Sequence, residues 1–409
     1  MKKLFLLIFL LPLLAFAQEK GIHFQHGLTW QQVKEKAKAE NKYIFIDCFT
    51  TWCGPCRYMS ANIFPLEEVG NVFNDKFISI KIQLDSTAND NEEVKSWFKD
   101  AFAIAKEYNV RAYPTYLFFD PNANIVHRAV GSSDAKEFIT KAENAMNPDK
   151  QYYALINQYK KGNKEPAFLK KAALAAMDAY DMDNGEMISN EYLATQKDLY
   201  TKENLDFISI FTLNSKDAGF KAMLKNPAKA DAVLGNGVAE GLIQRIIIKE
   251  EILNKLRGQQ SQADWKNISA GLNKKYPLQA AEALSKGKVM FYQSKGDWNN
   301  FQTAVVSYMN KYGAKASVGE LNNYAWTVFE NCKDMTCVAE ALEWSKRSFK
   351  DNNEPGLIDT YANILYKMGK KDEAIAWEEK AMNLAGENDK QGFKETLEKM
   401  QKGEKTLKD

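Results

Sequence analysis

Two cysteines stand three residues apart in the segment Phe49–Met59, FTTWCGPCRYM. Cys53 and Cys56 enclose the dipeptide Gly54-Pro55. A cysteine pair at this spacing can bind a metal ion, close a disulfide ring that staples the fold, or exchange electrons with the cysteines of another protein. The residues around the pair decide between these three kinds of chemistry.

A closed zinc site needs about four ligands, which are commonly two cysteine pairs or a cysteine pair with histidines. The second cysteine pair, Cys332 and Cys337, lies in a different part of the chain. The three histidines are not spaced as further ligands: His23, His26 and His127. A bridge from Cys53 to Cys56 would constrain little of the unfolded chain. We therefore expect no metal and no cofactor, and redox chemistry remains.

The elements around the motif place its first cysteine at the start of a helix. The apolar run YIFIDCF, residues 43–49, is typical of a buried strand. The helix that follows has unpaired N–H groups and a positive dipole end, which lower the pKa of a thiol from about 8.5. Pro55 is tolerated in a first helical turn. Cys53 is thus the expected attacking thiol, and Cys56, one turn later, is expected to be more buried.

Residues 20–148 alternate between strand and helix patterns. Thr29 and Gln32 form a capping box before an amphipathic helix. A last helix is capped by Ser133 or Asp134. Strands are predicted at 43–49, 77–85, 115–121 and 124–130, the last two as a hairpin. This order predicts an α/β sandwich.

The motif DCFTTWCGPC and the later segment RAYPTYLFFD, residues 111–120, together resemble the thioredoxin superfamily. The resemblance covers about residues 25–145 and implies the thioredoxin fold. It implies that Cys53 attacks a disulfide and that Cys56 resolves the mixed disulfide. It also implies that Pro114 is the family's cis-proline, across from the cysteines.

The same resemblance assigns further site residues. Asp47 corresponds to the buried acid that helps to move the proton of the resolving cysteine, and a carboxylate in an apolar strand is costly unless it is paired. Lys81, in the next strand, corresponds to its partner. Tyr113 would offer its backbone to an extended substrate segment. The expected substrate-binding residues are Trp52, Gly54, Pro55, Tyr113, Pro114 and Gly131.

The sequence departs from the family pattern in two places. Ala61 stands where the family has a proline in its long helix, and the segment from Asp85 to Pro114 is longer than in a minimal thioredoxin. The stretches CRYMSANIF and DSTANDNEE are more similar to the soluble thioredoxin-like domain of the bacterial transmembrane disulfide reductase. Because no organic cofactor is expected, electrons must come from a partner, which is expected to be a membrane or periplasmic thiol protein.

Residues 1–17 are identified as a secretory signal peptide. Lys2 and Lys3 precede an apolar run, and Ala15-Phe16-Ala17 forms a small-x-small cleavage site. The run is shorter than the ~18 residues of a membrane span. We therefore expect an exported protein of the bacterial periplasm with no stable membrane insertion after cleavage.

The composition excludes two broad classes of protein. A net charge of +2, from 55 basic and 53 acidic residues, gives no basic face, so no nucleic-acid partner is expected. Five cysteines in 409 residues do not make a disulfide scaffold. A chain of this length is expected to form more than one domain.

Strand patterns stop after the 20–148 domain, and helical segments follow. Ala362, Ala374 and Ala381 have the spacing of the small residues in tetratricopeptide repeats, which these hairpins resemble. Glu378 departs from that pattern, which has an aromatic residue there. The predicted divisions are an all-α region at 149–277, tetratricopeptide-like hairpins at 278–395 and a charged tail at 396–409.

Two interpretations remain for Cys332 and Cys337, which flank the predicted turn between two repeat helices. In an oxidising compartment a local structural disulfide is favoured, and a second redox pair is the alternative. Cys48, in the predicted strand 43–49, is expected to be an inert core thiol.

The sequence thus predicts an exported thiol–disulfide oxidoreductase that acts on disulfide-containing partner proteins. Gly54-Pro55 is the dipeptide of reducing thioredoxins, which favours the reducing direction. An oxidase or isomerase with the same residues remains open. A helical-repeat adaptor with an accessory thioredoxin-like domain is a further alternative.

Overall fold

The computed structural model describes residues 20–258, 263–387 and 389–407. The predicted signal peptide at 1–17 lies outside the described residues. The chain forms two compact units, Met1–Lys197 and Asp198–Asp409. This division differs from the predicted boundary after residue 148.

The N-terminal unit contains a four-stranded sheet in the order β2-β1-β3-β4. β1 pairs in parallel with β2 and antiparallel with β3, and β3 pairs antiparallel with β4. The strands are β1 (Tyr43–Phe49), β2 (Phe77–Gln83), β3 (Thr115–Phe119) and β4 (Ile125–Val130). The predicted strands and the hairpin are confirmed.

Helices connect these strands. They are α1 (Trp30–Glu40), α2 (Gly54–Tyr58), α3 (Glu67–Lys76), α4 (Glu92–Glu107) and α5 (Ala135–Met146). The predicted capping box of Thr29 and Gln32 is present at α1, and Asp134 caps α5. α2 runs on into a π-helical turn at Met59–Ile63. The sequence predicted a helix after the motif but not this wider turn within it.

Alternate residues of β1 enter two different apolar layers. Ile44, Ile46 and Cys48 belong to the layer that includes residues of α1 and α4. Phe45 belongs to an aromatic layer with residues of α3 and α5, and its ring centroid lies 4.8 Å from that of Phe73. Each such buried side chain contributes about 1.5–3 kcal/mol. The predicted α/β sandwich is confirmed.

Three further helices complete the N-terminal unit: α6 (Tyr152–Lys160), α7 (Pro166–Asp178) and α8 (Met182–Ala194). α6 packs against the edge strand β4, where the Tyr152 N–H donates to Nδ1 of His127 at 3.1 Å. The hydroxyl of Tyr152 in turn donates to Asp181. The edge of the sheet is thereby covered by helices, which the sequence pattern alone did not indicate.

A fragment of residues 20–148 is expected to be less stable than a fragment of residues 20–197. Without α6 the buried His127 loses its hydrogen-bond donor, and β4 loses the helix that packs against it. We expect the free energy of unfolding to fall by about 2 kcal/mol or more. Urea titrations of the two fragments measure the difference, and equal midpoints with equal slopes would contradict it.

The C-terminal unit is helical throughout its described residues. Its helices are α9 (Lys202–Phe211), α10 (Ala218–Lys225), α11 (Pro227–Leu234), α12 (Val238–Ile248), α13 (Trp265–Lys275), α14 (Ala280–Lys295), α15 (Trp298–Tyr312), α16 (Val318–Asn331), α17 (Met335–Ser348), α18 (Pro355–Lys367), α19 (Lys371–Leu384) and α20 (Lys390–Lys402). α12 continues into a π-helical turn at Lys249–Leu253.

Consecutive helices of the C-terminal unit pack as hairpins, α14 with α15, α16 with α17 and α18 with α19. Ala362, Ala374 and Ala381 are fully buried where α18 and α19 meet. The predicted helical-repeat architecture is confirmed. Part of the charged tail predicted at 396–409 belongs to α20, where Leu397 and Met400 are buried and form an apolar face.

Cys332 and Cys337 are buried free thiols in the structure, which differs from the predicted disulfide. Cys332 is the C-cap residue that directly follows α16, and Cys337 lies in the first turn of α17. The two side chains hydrogen-bond each other, and this contact together with the nearby Lys367 lowers the pKa of Cys332. The pair therefore lies at a helical turn as predicted, and the disulfide stays a prediction.

Glu378, which stands where the tetratricopeptide pattern has an aromatic residue, affects the stability of the C-terminal unit. Glu378 is fully buried on α19, and Asp359 on α18 interacts with it. Burial, and then the negative charge of Asp359, raise the pKa of Glu378 to about 9. A carboxyl group whose pKa is raised by folding makes the folded state less stable as pH rises from the unfolded pKa toward the folded pKa.

Glu378→Gln is therefore expected to stabilise the C-terminal unit at pH 8 and to have no such effect near pH 4. The glutamine copies the protonated form and cannot ionise. We expect the melting temperature of this unit to rise by about 4 °C or more at pH 8. Calorimetry at both pH values measures the effect, and Glu379→Gln, on the exposed face of the same helix, is the control. A pH-independent change would rule out ionisation as its cause.

Candidate active site

Cys53 and Cys56 form a disulfide at the start of α2. Cys53 is the N-cap residue, and its Sγ accepts the backbone N–H of Cys56 at 3.1 Å. Pro55 lies in the first turn, as predicted. After reduction, the same N–H and the helix dipole would stabilise a thiolate on Cys53.

The two cysteines are equally shielded from solvent, with 3% of Cys53 and 4% of Cys56 exposed. The prediction that Cys56 is the more buried of the two is wrong for this oxidised form. Each sulfur covers the other when the ring is closed, because both belong to one helical turn.

Trp52, in the loop that precedes α2, is exposed to solvent, with an exposed fraction of 66%. Its ring packs edge-on against Tyr113, with 5.7 Å between the ring centroids. The Tyr113–Pro114 peptide bond is cis, and the carbonyl of Pro114 accepts the N–H of Gly131 at 2.9 Å. Pro114 itself is buried. Four of the predicted substrate-binding residues are therefore connected by direct contacts.

Gly131 has a left-handed backbone conformation, with φ of 91°, which a residue with a side chain rarely adopts. A Cβ atom at this position would meet no neighbour within 4 Å. Glycine is required there by the backbone and not by crowding. Gly54, at the start of α2, is exposed and likewise has open space around it.

Asp47 and Lys81 are paired residues of the neighbouring strands β1 and β2. Lys81 Nζ lies 3.1 Å from Oδ2 of Asp47, whose exposed fraction is 1%. Burial raises the pKa of Asp47, and the positive charge of Lys81 opposes that rise. The structure thus brings together the predicted acid and its partner, as an ion pair at the border of the core.

The surroundings of Lys81 include residues that the sequence analysis missed. Its Nζ donates a hydrogen bond to Oγ of Ser60 at 2.7 Å. It also lies over the rings of Phe24, Phe49 and Phe64, at 5.2, 5.1 and 4.9 Å from their centroids. Such cation–π contacts hold an ammonium group in place. Lys81 is therefore fixed by three aromatic rings, a hydroxyl group and a carboxylate.

Ser60 and Ala61 both lie in the π-helical turn Met59–Ile63. The unexpected Ala61, where the family has a proline, was the one sequence signal that this segment differs. It did not indicate that Ser60 would contact Lys81, because that contact depends on the extra residue in the turn.

Lys81→Met is expected to destabilise the protein at pH 7 by about 1–3 kcal/mol. Methionine keeps an unbranched stem among the three rings but leaves the buried Asp47 without its cation. The loss of stability should vanish at acid pH, because a protonated Asp47 carries no charge that requires a cation beside it. Urea titrations at pH 7 and pH 4 measure this, with the exposed Lys95→Met as control. An equal loss at both pH values would point to packing instead.

Among the residues that the structure describes, no group of three or more His, Cys, Asp or Glu side chains could hold a metal ion. The buried Cys48 is a free thiol whose pKa is raised by burial and by the adjacent Asp47. Within the described part of the chain, no helix is both long and apolar enough to cross a membrane.

A disulfide at the start of a helix, a cis-proline that follows Tyr113, whose ring packs against Trp52, and a buried acid–lysine pair define a thiol-exchange domain of the thioredoxin class. Residues 30–146 match the family model described as a thioredoxin-like domain. This part of the chain belongs to that family.

Several known proteins are similar to part of the chain. Thioredoxin Y of Oryza sativa subsp. japonica is 31% identical over 118 residues, which are 29% of this chain and 60% of that protein. The thiol:disulfide interchange protein DsbD of Yersinia pestis is 28% identical over 128 residues, 31% of this chain and 20% of DsbD.

A solved structure is also similar. It is a candidate disulphide-isomerase from Bacteroides thetaiotaomicron with 34% identity, which covers 32% of this chain and 98% of that protein at a TM-score of 0.27. The chain spans between 51% and 60% of the length of the thioredoxins that it matches.

Proposed function

We propose that this protein is an exported thiol–disulfide oxidoreductase that reduces disulfides in partner proteins. The observation that carries the proposal is the Cys53–Cys56 pair at the start of α2, with the N–H of Cys56 directed at Cys53 Sγ. The exposed Trp52 beside Tyr113 supports a protein substrate, because exposed aromatic surface is typical of a partner-binding site.

The reaction proceeds in two exchanges. The Cys53 thiolate attacks one sulfur of the substrate disulfide, a mixed disulfide forms and the other substrate sulfur leaves as a thiolate. Cys56 then loses its proton, with Asp47 as the proposed acceptor, and attacks Cys53 Sγ. The second substrate thiol leaves reduced, and the Cys53–Cys56 disulfide remains. Two electrons have passed from the protein to its substrate.

An electron donor must then reduce the Cys53–Cys56 disulfide before the protein can act again. We propose a periplasmic or membrane-bound thiol protein in this role, supported by the similarity to DsbD, whose name describes thiol:disulfide interchange. The signal peptide predicted at 1–17 supports export. Lys81 assists by keeping Asp47 in place, and Gly54, Pro55, Pro114 and Gly131 shape the surface that meets the substrate.

Trapping the mixed disulfide tests the proposal. Cys56→Ser removes the resolving thiol, so the bond between Cys53 and its substrate persists. After expression of this variant in a periplasm, disulfide-linked complexes should appear on non-reducing gels and vanish with dithiothreitol. The Cys53→Ser, Cys56→Ser variant is the matched control. Equal amounts of linked protein in both variants would contradict the proposal.

The reduction potential of the Cys53/Cys56 pair tests the direction. A reductase is expected near the ~−270 mV of thioredoxin, whereas about −120 mV is typical of a strong oxidant. Equilibration with glutathione buffers measures it. A reduction potential near that of the strong oxidants would contradict the reductase proposal and indicate an oxidase. An intermediate potential, together with activity on scrambled disulfides, would indicate an isomerase. Isomerase is the activity that the name of the Bacteroides protein gives.

The helical repeats of the C-terminal unit support a second role, recruitment of the substrate or of a partner. Stacked helical hairpins form extended surfaces that suit protein binding. Fragment 20–197 should then reduce native substrates more slowly than the full chain, while it reduces a small disulfide at the same rate. Equal rates on native substrates would exclude recruitment, and a physiological role that survives Cys53→Ser would favour the adaptor alternative.

A further inference from the structure

Ser60 lies in the π-helical turn that follows the cysteines, and its hydroxyl group contacts the acid–lysine pair. Its Oγ accepts a hydrogen bond from Lys81 Nζ at 2.7 Å, while the same Nζ lies 3.1 Å from Oδ2 of Asp47. Ser60 is exposed, whereas Asp47 is buried. The ammonium group of Lys81 therefore bridges an exposed hydroxyl group and a buried carboxylate.

The hydrogen bond to Ser60 determines where the ammonium group of Lys81 lies. Lysine carries its charge on a flexible four-carbon stem, so the ammonium group can occupy many positions near a buried anion. Three aromatic rings attract it, with centroid distances of 5.2, 5.1 and 4.9 Å. A ring attracts a cation over its whole face, whereas a hydrogen bond depends on both distance and angle. Ser60 thus adds the directional contact that keeps Lys81 beside Asp47.

The distance between Lys81 and Asp47 affects how readily Asp47 ionises. Burial raises the pKa of Asp47, and the positive charge of Lys81 opposes that rise. Cys48 on β1 and Tyr116 on β3 are the titratable neighbours of Asp47 within the sheet. Burial raises the pKa of both groups, so each stays neutral at physiological pH. Lys81 therefore favours the ionised form of Asp47, which is the form that can accept a proton.

We propose that Ser60 is a positioning residue for the resolving step of disulfide exchange. Its hydroxyl group holds Lys81 against Asp47 and so keeps Asp47 in the ionised form. The inference rests on the proposed function, in which the proton of Cys56 passes to a carboxylate oxygen of Asp47. The Cys56 thiolate then bonds to Cys53 Sγ, and the substrate leaves as a thiolate. Ser60 forms and breaks no covalent bond in this step, because it acts through Lys81.

Titration of Asp47 in the oxidised full chain tests the positioning without any substrate. Ser60→Ala removes the hydroxyl group, so the pKa of Asp47 should rise by about one pH unit, since a close opposite charge lowers a carboxyl pKa by about 1–3. Ser60→Thr keeps the oxygen and should restore the wild-type pKa. Carbon-13 NMR of the aspartate carboxyl groups measures this pKa, and Asp47→Asn identifies the resonance. An unchanged pKa of Asp47 in Ser60→Ala would overturn the proposal.

A double variant shows whether the effect passes through Lys81. In the Lys81→Met background, Ser60→Ala should leave the pKa of Asp47 unchanged, because no ammonium group remains to be positioned. Ser96→Ala, at an exposed serine of α4, is the matched control in the wild-type background and should have no effect. If Ser60→Ala raised the pKa of Asp47 equally with and without Lys81, the proposed role of Lys81 would be overturned.

The pH profile of the resolving step connects this position to catalysis. Stopped-flow measurement of mixed-disulfide resolution should show the acidic limb displaced upward by about one pH unit in Ser60→Ala, which is an about tenfold lower rate on that limb. The rate at pH 9 should be unchanged. A raised pKa of Asp47 with an unmoved acidic limb would overturn the catalytic role of Ser60. Absence of mixed-disulfide formation in the wild type would instead overturn the proposed function, and the NMR titration would still decide whether Ser60 positions Lys81.

Discussion

Cys53→Ser is expected to abolish the reduction of protein disulfides, with a loss of at least about 1000-fold in rate. A serine hydroxyl does not attack a disulfide, and the remaining thiol, Cys56, is buried and lacks the N-cap position that stabilises a thiolate on Cys53. Insulin reduction with dithiothreitol as the electron source measures the rate. The structure should be unaffected, because serine retains an N-cap oxygen for the start of α2.

The matched control removes the other cysteine pair. Cys332→Ala, Cys337→Ala leaves the motif in the N-terminal unit intact and should keep full activity on insulin. A large loss of activity in this control, together with full activity of Cys53→Ser, would show that Cys332 and Cys337 carry out the redox reaction. Both thiols of that pair are buried, so a reaction with an external disulfide would require the turn between α16 and α17 to open.

The parts of the site that depend on local sequence could be predicted. Residues 43–49 form a strand because their apolar run is bounded by turn residues, and Cys53 caps a helix because Pro55 fits its first turn. The pairing of Asp47 with Lys81 came from the family resemblance, and it follows in the structure from the parallel register of β1 and β2.

The parts that depend on contacts between distant segments could not be predicted. Ser60 reaches Lys81 only because the helix widens into a π-helical turn, and Phe24 is brought over Lys81 by an isolated bridge to Ser79 of β2. The packing of α6 over His127 is likewise a contact between segments that are distant in the sequence. An amphipathic helix pattern gives the buried face of α6 but does not specify which strand that face covers.

Asp47→Ala is expected to raise the free energy of unfolding and to slow the reduction of disulfides. The pKa of Asp47 is raised by burial, with Lys81 opposing, so the folded state holds a proton at pH values where the unfolded chain has lost it. A raised carboxyl pKa lowers stability as pH rises above the unfolded value, near 3.8. Alanine has no charge to bury, and Lys81 keeps its contacts with Ser60 and three aromatic rings, so we expect stabilisation at pH 7 on the order of 1 kcal/mol.

The pH dependence separates this cause from a change in packing. At pH 3 both the folded and the unfolded wild type hold the proton on Asp47, so the stabilisation should disappear there or change sign, since the shorter side chain leaves a small void. Urea titrations at pH 3 and pH 7 measure both values. A gain of the same size at both pH values would show that ionisation of Asp47 is not its source.

Asp47→Ala should lower the rate of disulfide reduction, although it raises the stability of the protein. If Asp47 accepts the proton of Cys56, its loss slows resolution of the mixed disulfide at pH 7 by about 100-fold. The rate should recover toward pH 9, where hydroxide and buffer deprotonate the thiol without help. Attack by Cys53 should be unchanged, because its thiolate is stabilised by the start of α2. Stopped-flow measurement of both steps across this pH range is decisive: a slower first step would assign Asp47 to the attacking thiol instead. A residue that costs stability at neutral pH and accelerates one proton transfer is retained for chemistry and not for the fold.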